Sequence, residues 1–235
     1  MKNPIVLFCC LLPFFLFGQN RSPYYHNVGE QVYVLASNGL NMRKEPVTGA
    51  EIVTKLPYGS ALKILKNTAK MLELEDFGGY VISDMWYEVS YGEKRGYVFG
   101  GYISRFPSYF AGSDYPSLND YLSKNFTVGS GKEWLSHEAS EPEDCYYTKY
   151  YKEGILQTIN SCFDQIYESR YVFEYANLQE VTSLITSILN QSDVPFSTKY
   201  SDDGSLQAIV ITQDYCMYTI QVLGVAGVVV VVECG

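Results

Sequence analysis

The chain has 235 residues, with 17 basic and 26 acidic side chains, two histidines and a formal net charge of −9. That balance excludes general nucleic-acid binding, because phosphate contacts need a basic face. The length leaves room for two small domains. An aromatic content of 22 Tyr and 12 Phe favours strands and amphipathic surfaces.

At the N-terminus Lys2 is basic, residues 5–17 are apolar apart from Pro13, and Gly18 is a small residue ahead of Gln19. This pattern predicts a cleavable signal peptide over residues 1–18. Its apolar stretch of about 13 residues falls short of the roughly 20 needed to span a bilayer. Cys9 and Cys10 are poor lipidation sites, since the bulky Val6, Leu7 and Phe8 precede them. The mature chain is therefore expected to be exported, periplasmic or extracellular, with no transmembrane segment.

Charge divides the mature chain. Residues 19–107 hold 10 basic and 9 acidic side chains, whereas 108–235 hold 6 and 17, a net −11. A solvated acidic surface is the plain reading of the second half. The change coincides with the loop-like stretch 106–114, which carries Pro107, Ser108, Gly112 and Ser113. The expected organisation is a small domain at 28–107, a linker at 108–115 and an acidic domain at 116–235.

In the first domain, residues 31–36 alternate with Val32 and Val34 on one side, and Ser37-Asn38-Gly39 is turn chemistry. Short strands follow at 40–43, at 52–56 ahead of Pro57-Tyr58-Gly59, and at 61–65. Residues 86–91 and 95–99 flank Gly92-Glu93-Lys94 as a hairpin. A small β-barrel accounts for this pattern.

In the second domain, 117–122 reads as a short helix after Pro116, followed by a polar stretch around Gly129-Ser130-Gly131. Strands are expected at 145–151, 155–162 and 166–175, with Glu153-Gly154 and Asp164-Gln165 as turns. Leu178, Val181, Leu184, Ile185, Ile188 and Leu189 then recur at three and four, with Asn177 and Glu180 as N-cap and its third residue, so 177–190 reads as an amphipathic helix. Strands at 196–200, 206–212, 216–223 and 228–234 complete the pattern; the valine-rich last one suits a strand covered on both faces. The fold class is mainly β, a barrel followed by an α+β domain with one antiparallel sheet packed by one long helix.

An exported chain with four mature cysteines invites disulfides, and three pairings are open. If Glu153-Gly154 is a two-residue turn, Cys145 and Cys162 face each other. Cys216 and Cys234 are equidistant from Val225, beside Gly224 and Gly227. The expectation is Cys145–Cys162 and Cys216–Cys234, against four buried or free thiols.

The first half resembles the bacterial SH3 domain family. Leu40-Asn41-Met42-Arg43 followed by Pro46 resembles its Leu-Asn-Val-Arg signature, and Leu56-Pro57-Tyr58-Gly59-Ser60 with the strand 61–65 resembles its next segment. Trp86-Tyr87-Glu88-Val89 is similar to its Trp-Tyr-x-Val strand, and Gly96-Tyr97-Val98 with Gly101-Tyr102-Ile103-Ser104 to its closing motif. The segment 67–83 is longer than the usual connector, and Tyr97 stands where Trp is common. Mechanically, Gly59 and Gly96 suit sharp barrel turns, and the Arg43 head suits unpaired carbonyls. The resemblance implies noncovalent binding of cell-wall peptide or glycan, or of an envelope protein. A shallow aromatic groove would draw on Asn41, Arg43, Tyr58, Tyr80, Trp86, Tyr91 and Tyr102, each of which has core packing as its rival role.

Because family members accompany wall hydrolases, catalytic sets matter. A Cys/His hydrolase needs a thiolate beside a positioned imidazole. His26 precedes the barrel, and His137 lies in Ser136-His137-Glu138 with no nucleophile motif nearby. A zinc site lacks ligands. Glu133, Glu138, Glu141, Glu143 and Asp144 are close in sequence, but nothing sets two of them across a sugar. Asp202-Asp203-Gly204 is a turn without EF-hand spacing. No catalytic residue, cofactor or metal is called for. The expected protein binds and does not catalyse; the alternatives are a wall hydrolase with its active site in 114–235, or an inhibitor or immunity-like protein presenting the acidic domain to a basic partner.

Overall fold

The computed structural model describes residues 25–76, 80–109, 117–135, 145–162, 165–189, 196–202, 206–223 and 227–234. The signal-peptide expectation, His137 and the acidic residues at 138–144 lie outside them, as do the side chains of Tyr80, Glu133, Cys145 and Cys162.

Seven strands form the first sheet: β1 (Gln31–Val34), β2 (Leu40–Arg43), β3 (Ile52–Leu56), β4 (Ala61–Asp76), β5 (Tyr80–Tyr91), β6 (Lys94–Phe99) and β7 (Ile103–Ser104). A single 3-10 turn, Gly100–Tyr102, links the last two. The spatial order is β3-β2-β6-β5-β4-β1-β7, antiparallel throughout, and the sheet curls into a half-barrel. Alternation sends Val32, Val34, Met42, Leu62, Ile64, Tyr87, Val89 and Val98 inward to one core.

The long 67–83 segment continues the two central strands. Met71 to Asp76 pairs with Tyr80 to Met85, Leu74 facing Ile82 and Leu72 facing Asp84. Thr68, Ala69 and Lys70 form the irregularity between arm and barrel, where Ala69 adopts φ +57° and the Thr68 hydroxyl donates to the Trp86 carbonyl at 2.6 Å. One pleat face of this arm is apolar (Leu72, Leu74, Ile82) and the other carries Glu73 and Glu75. Residues 67–76 and 80–83 of the stretch read from sequence as a connector are thus strand, because their alternation finds its partner across the arm.

The second half begins with α1 (Leu118–Asn125), capped by Ser117, whose Oγ accepts from Asp120 N–H at 3.1 Å. The sheet comprises β8 (Val128–Leu135), β9 (Cys145–Tyr151), β10 (Ile155–Cys162), β11 (Gln165–Glu174), β12 (Phe196–Tyr200), β13 (Leu206–Gln213), β14 (Cys216–Val222) and β15 (Gly227–Cys234). Its order is β12-β13-β14-β15-β11-β10-β9-β8, again antiparallel. The polar stretch around Gly129-Ser130-Gly131 belongs to β8, an edge strand whose glycines and bulge suit an edge.

The long helix is α2 (Leu178–Ile188), and the Asn177 side chain caps it by accepting from Glu180 N–H at 2.7 Å. Val181, Leu184, Ile185 and Ile188 face the sheet through Phe173, Ile209, Ile211, Ile220, Val228 and Val230. α2 is buried on its polar side as well, at Gln179 and Thr182, because that side packs against the barrel's 3-10 turn. The outer pleat of β15 is only partly covered: Val229 is buried beside Gln221 and Val172 in adjoining strands, whereas Val231 is half-buried and Glu233 exposed.

Cys216 and Cys234 are register partners and are disulfide-bonded, with Cα atoms 4.1 Å apart. The β9–β10 hairpin differs from expectation. Tyr151 pairs with Ile155, so the turn has three residues, Lys152, Glu153 and Gly154, with Gly154 at φ +82°. The ladder is shifted by one from the register on which the Cys145–Cys162 pairing was drawn, and it continues from Tyr146 opposite Asn160.

Candidate functional site

The outward pleat of the half-barrel presents a cross-strand row. Arg43 on β2 pairs with Tyr97 on β6, Tyr97 with Glu88 on β5, and Glu88 with Lys66 on β4. Arg95, Ser90, Lys63 and Gln31 form the next row, and Asn41 lies beside Lys55. Arg43, Tyr97, Glu88 and Asn41 are half-buried; Lys55, Lys63, Lys66 and Arg95 are exposed. These rows offer the Tyr97 phenol ring, two amides, several cations and one carboxylate, all on paired strands. Such a surface can hydrogen-bond a polar extended ligand and press its apolar parts on Tyr97.

Arg43 is partly committed. Its Nη1 donates to the Ala50 carbonyl at 2.7 Å, tying β2 to the loop ahead of β3, as its expected role of binding loop carbonyls requires. Gly96 is required by close approach: a Cβ there would sit 2.7 Å from the Arg43 carbonyl oxygen and 2.7 Å from Met42 Cγ. Gly59 is the sharp turn, at φ +78°, with its N–H donating to the Val34 carbonyl at 2.9 Å.

Of the seven groove residues named from sequence, the six whose side chains are described do not share one surface. Asn41 and Arg43 lie on the outward face. Trp86 is 4 % exposed and packs against Phe99, centroids 6.4 Å apart, which in turn meets Tyr102 edge-on at 5.6 Å. These three rings form a packed ladder, with only Tyr102 partly open. Tyr91 lies at the margin of the barrel core. The Tyr58 hydroxyl donates to the Tyr109 carbonyl at 3.1 Å and bonds Ser187 of α2, so it belongs to the junction with the second half. Tyr80 is described only as backbone. Tyr97 and Phe99 are the residues that sequence reasoning passed over; the period-two alternation of 95–99 was the available signal.

His26 is buried against the Tyr87 ring, centroids 5.4 Å apart. Its backbone N–H donates to the Tyr87 hydroxyl at 3.2 Å, and its Nδ1 lies 3.9 Å from a Glu30 oxygen. Tyr87 also bonds Asp84, and burial with that neighbouring carboxyl pushes the phenol up from its usual range. In the second half, Gln157 is fully buried; it accepts from Tyr151 Oη at 3.0 Å and donates to Asn119 Oδ1 at 2.9 Å, joining α1 to the sheet. These buried polar groups are structural ties.

Residues 38–104 match the model of the bacterial SH3 domain family. Over these residues the first half is similar to bacterial SH3 domains. The match spans β2 to β7, and the family points to a cell-wall or protein-binding role. Among curated proteins and solved structures, none matches the chain. No helix among the described residues is long and apolar enough to cross a membrane.

Proposed function

We propose that this is an exported, non-enzymatic binding protein of the bacterial cell envelope, whose SH3 half holds cell-wall peptide or glycan or an envelope protein. The observation that carries the reading is the family match over residues 38–104, joined to an outward sheet face where Asn41, Arg43, Tyr97 and Glu88 stand together on paired strands. Paired strands hold such groups at low entropy cost, which favours recognition of a flexible chain. The signal-peptide pattern of residues 1–18 supports export.

The test uses the full mature chain, residues 19–235, because Tyr58 and Ser104 tie the halves together. Purified sacculi and envelope extracts are incubated with it and with the double variant Asn41→Ala, Tyr97→Ala. Retention on one of them, reduced about tenfold in the variant, is expected, since losing a ring and an amide contact together removes on the order of 1.4 kcal/mol or more. A mature chain that is retained by neither sacculi nor any envelope protein overturns the proposal.

A further inference from the structure

The two halves meet at the barrel's 3-10 turn, which packs against β5 on one side and α2 on the other and has a buried acidic residue on each. Asp84 on β5 and Glu180 in the first turn of α2 are each 4 % exposed, and their charges act on one another. Glu180 is held by the barrel's end: its Oε1 accepts from Ser104 Oγ at 2.6 Å and from Arg105 N–H at 2.9 Å. Ser104 is fixed in turn by accepting from Phe106 N–H at 2.8 Å. Asp84 Oδ1 receives Met85 N–H at 2.6 Å. Its carboxyl lies so close to the 3-10 turn that a Cβ on Gly100 would sit 2.7 Å from it.

The groups facing the Asp84 carboxyl come from every side of this contact. β5 supplies Tyr87, whose hydroxyl bonds it; the 3-10 turn supplies uncharged Gly100; β4 supplies Leu72 opposite; α2 supplies Glu180. His26 and Glu30 reach it only through Tyr87. Arg105, the cation next to Ser104, sends its guanidinium elsewhere: Nη2 donates to the Glu174 carbonyl, and the group lies 4.7 Å over the Phe106 ring. Its Nε, Gln179 Oε1 and Thr182 Oγ1 are buried with no hydrogen-bond partner among the described residues, around the same helix face. A junction so dry and so short of positive charge tolerates one carboxylate better than two.

We propose that Asp84 and Glu180 form a proton-operated latch between the SH3 half and the α2 sheet domain, closed when Asp84 carries its proton and loosened when it ionises. Burial, followed by the charge of Glu180, pushes the Asp84 carboxyl up to about 7. A carboxyl raised in the closed state and returned to its ordinary value on opening binds more protons when closed. The closing contribution is therefore complete below about pH 4, declines as pH rises, and is lost by the time pH passes about 7. The barrel and α2 would separate locally, hydrating Asp84, with both cores intact.

Hydrogen exchange of the full mature chain, corrected for intrinsic rates, reads this directly at the amides of Gly100–Tyr102 and of the first turn of α2. Between pH 6 and pH 8 their opening equilibrium is expected to rise about tenfold, while β15 and β11 in the sheet centre do not change. In Asp84→Asn the rise is expected to vanish. No rise in the wild type, or the same rise in Asp84→Asn, overturns the latch. Should Asp84→Asn fail to fold, Glu180→Gln decides: it removes the repelling charge, so the midpoint of the rise must move to lower pH, and an unmoved midpoint overturns the proposal.

Discussion

The two sheets of this chain solve the same problem with different materials. The SH3 half closes its core within residues 32–103, mostly with aliphatic side chains around the buried ring of Tyr87, with Tyr91 and Tyr102 packed at its margin. The second half adds to an aliphatic core between α2 and its sheet a cluster of rings, with Phe106, Tyr109, Tyr121, Phe126, Tyr151 and Phe173 in edge-to-face and tilted contacts at 5.3–6.4 Å. Two of those rings, Phe106 and Tyr109, come from the stretch that sequence alone marks as the end of the barrel and the start of a linker. The dependence is thus one-sided: the barrel completes its core without the second half, and the second half borrows from the chain that leaves the barrel. A change in charge and a cluster of Pro, Gly and Ser mark where composition shifts, not where packing stops.

The one-sidedness can be broken experimentally. Phe106→Ala removes a side chain 1 % exposed that touches Phe126 and Phe173. It should cost about 4 kcal/mol, and amide exchange should place that loss in β11, β13 and α2, with β5 and β6 protected as before. Equal loss in both sheets would mean that the halves share one cooperative core. Next in size, replacing Cys216 and Cys234 together by Ala frees a loop of sequence separation 18 in the second half only. A loss of about 3 kcal/mol is expected in denaturant titration followed in that sheet, and an equal shift in the barrel would contradict the comparison. The smallest effect is Asn177→Ala, which removes the cap acceptor 2.7 Å from Glu180 N–H. About 1 kcal/mol of stability should go; because the same turn positions Glu180, exchange at Ser104 and Arg105 should rise with it, and silence there would separate the cap from the junction.

The barrel strands were legible because period-two alternation and turn residues point the same way over short distances. Val32 and Val34, Leu40 and Met42, and the 86–99 hairpin need only a neighbour in sequence to define a face. The helix 178–188 was legible for the same reason, through its apolar spacing and Asn177. The Cys216–Cys234 bond followed from the symmetry of one hairpin. The 145–162 hairpin did not follow, since a three-residue turn with Gly154 at positive φ and a two-residue turn both fit Lys152-Glu153-Gly154, and they differ by one register step.

The site was less legible than the fold. Trp86 and Tyr58 have the side chains of binding residues, yet one is enclosed by Phe99 and the other is engaged by Tyr109 and Ser187. Burial is decided by what crosses over a residue, and that information lies far away in the chain. Tyr97 was read as a departure from a motif, and only its pairing with Arg43 and Glu88 sets it in a row.

Local pattern alone therefore determined both helices and the strands other than β8 and the β4–β5 arm, the SH3 motifs in order, the acidity of the second half and one disulfide, because each depends on neighbours within a hairpin or a helical turn. Tertiary structure decided the β4–β5 arm, the recruitment of Phe106 and Tyr109, the enclosure of Trp86 and the meeting of Asp84 with Glu180. Those depend on placements set by contacts such as that of Ser104 with Glu180, 76 positions apart, where no local periodicity reaches and only the joint packing of two sheets brings the groups together.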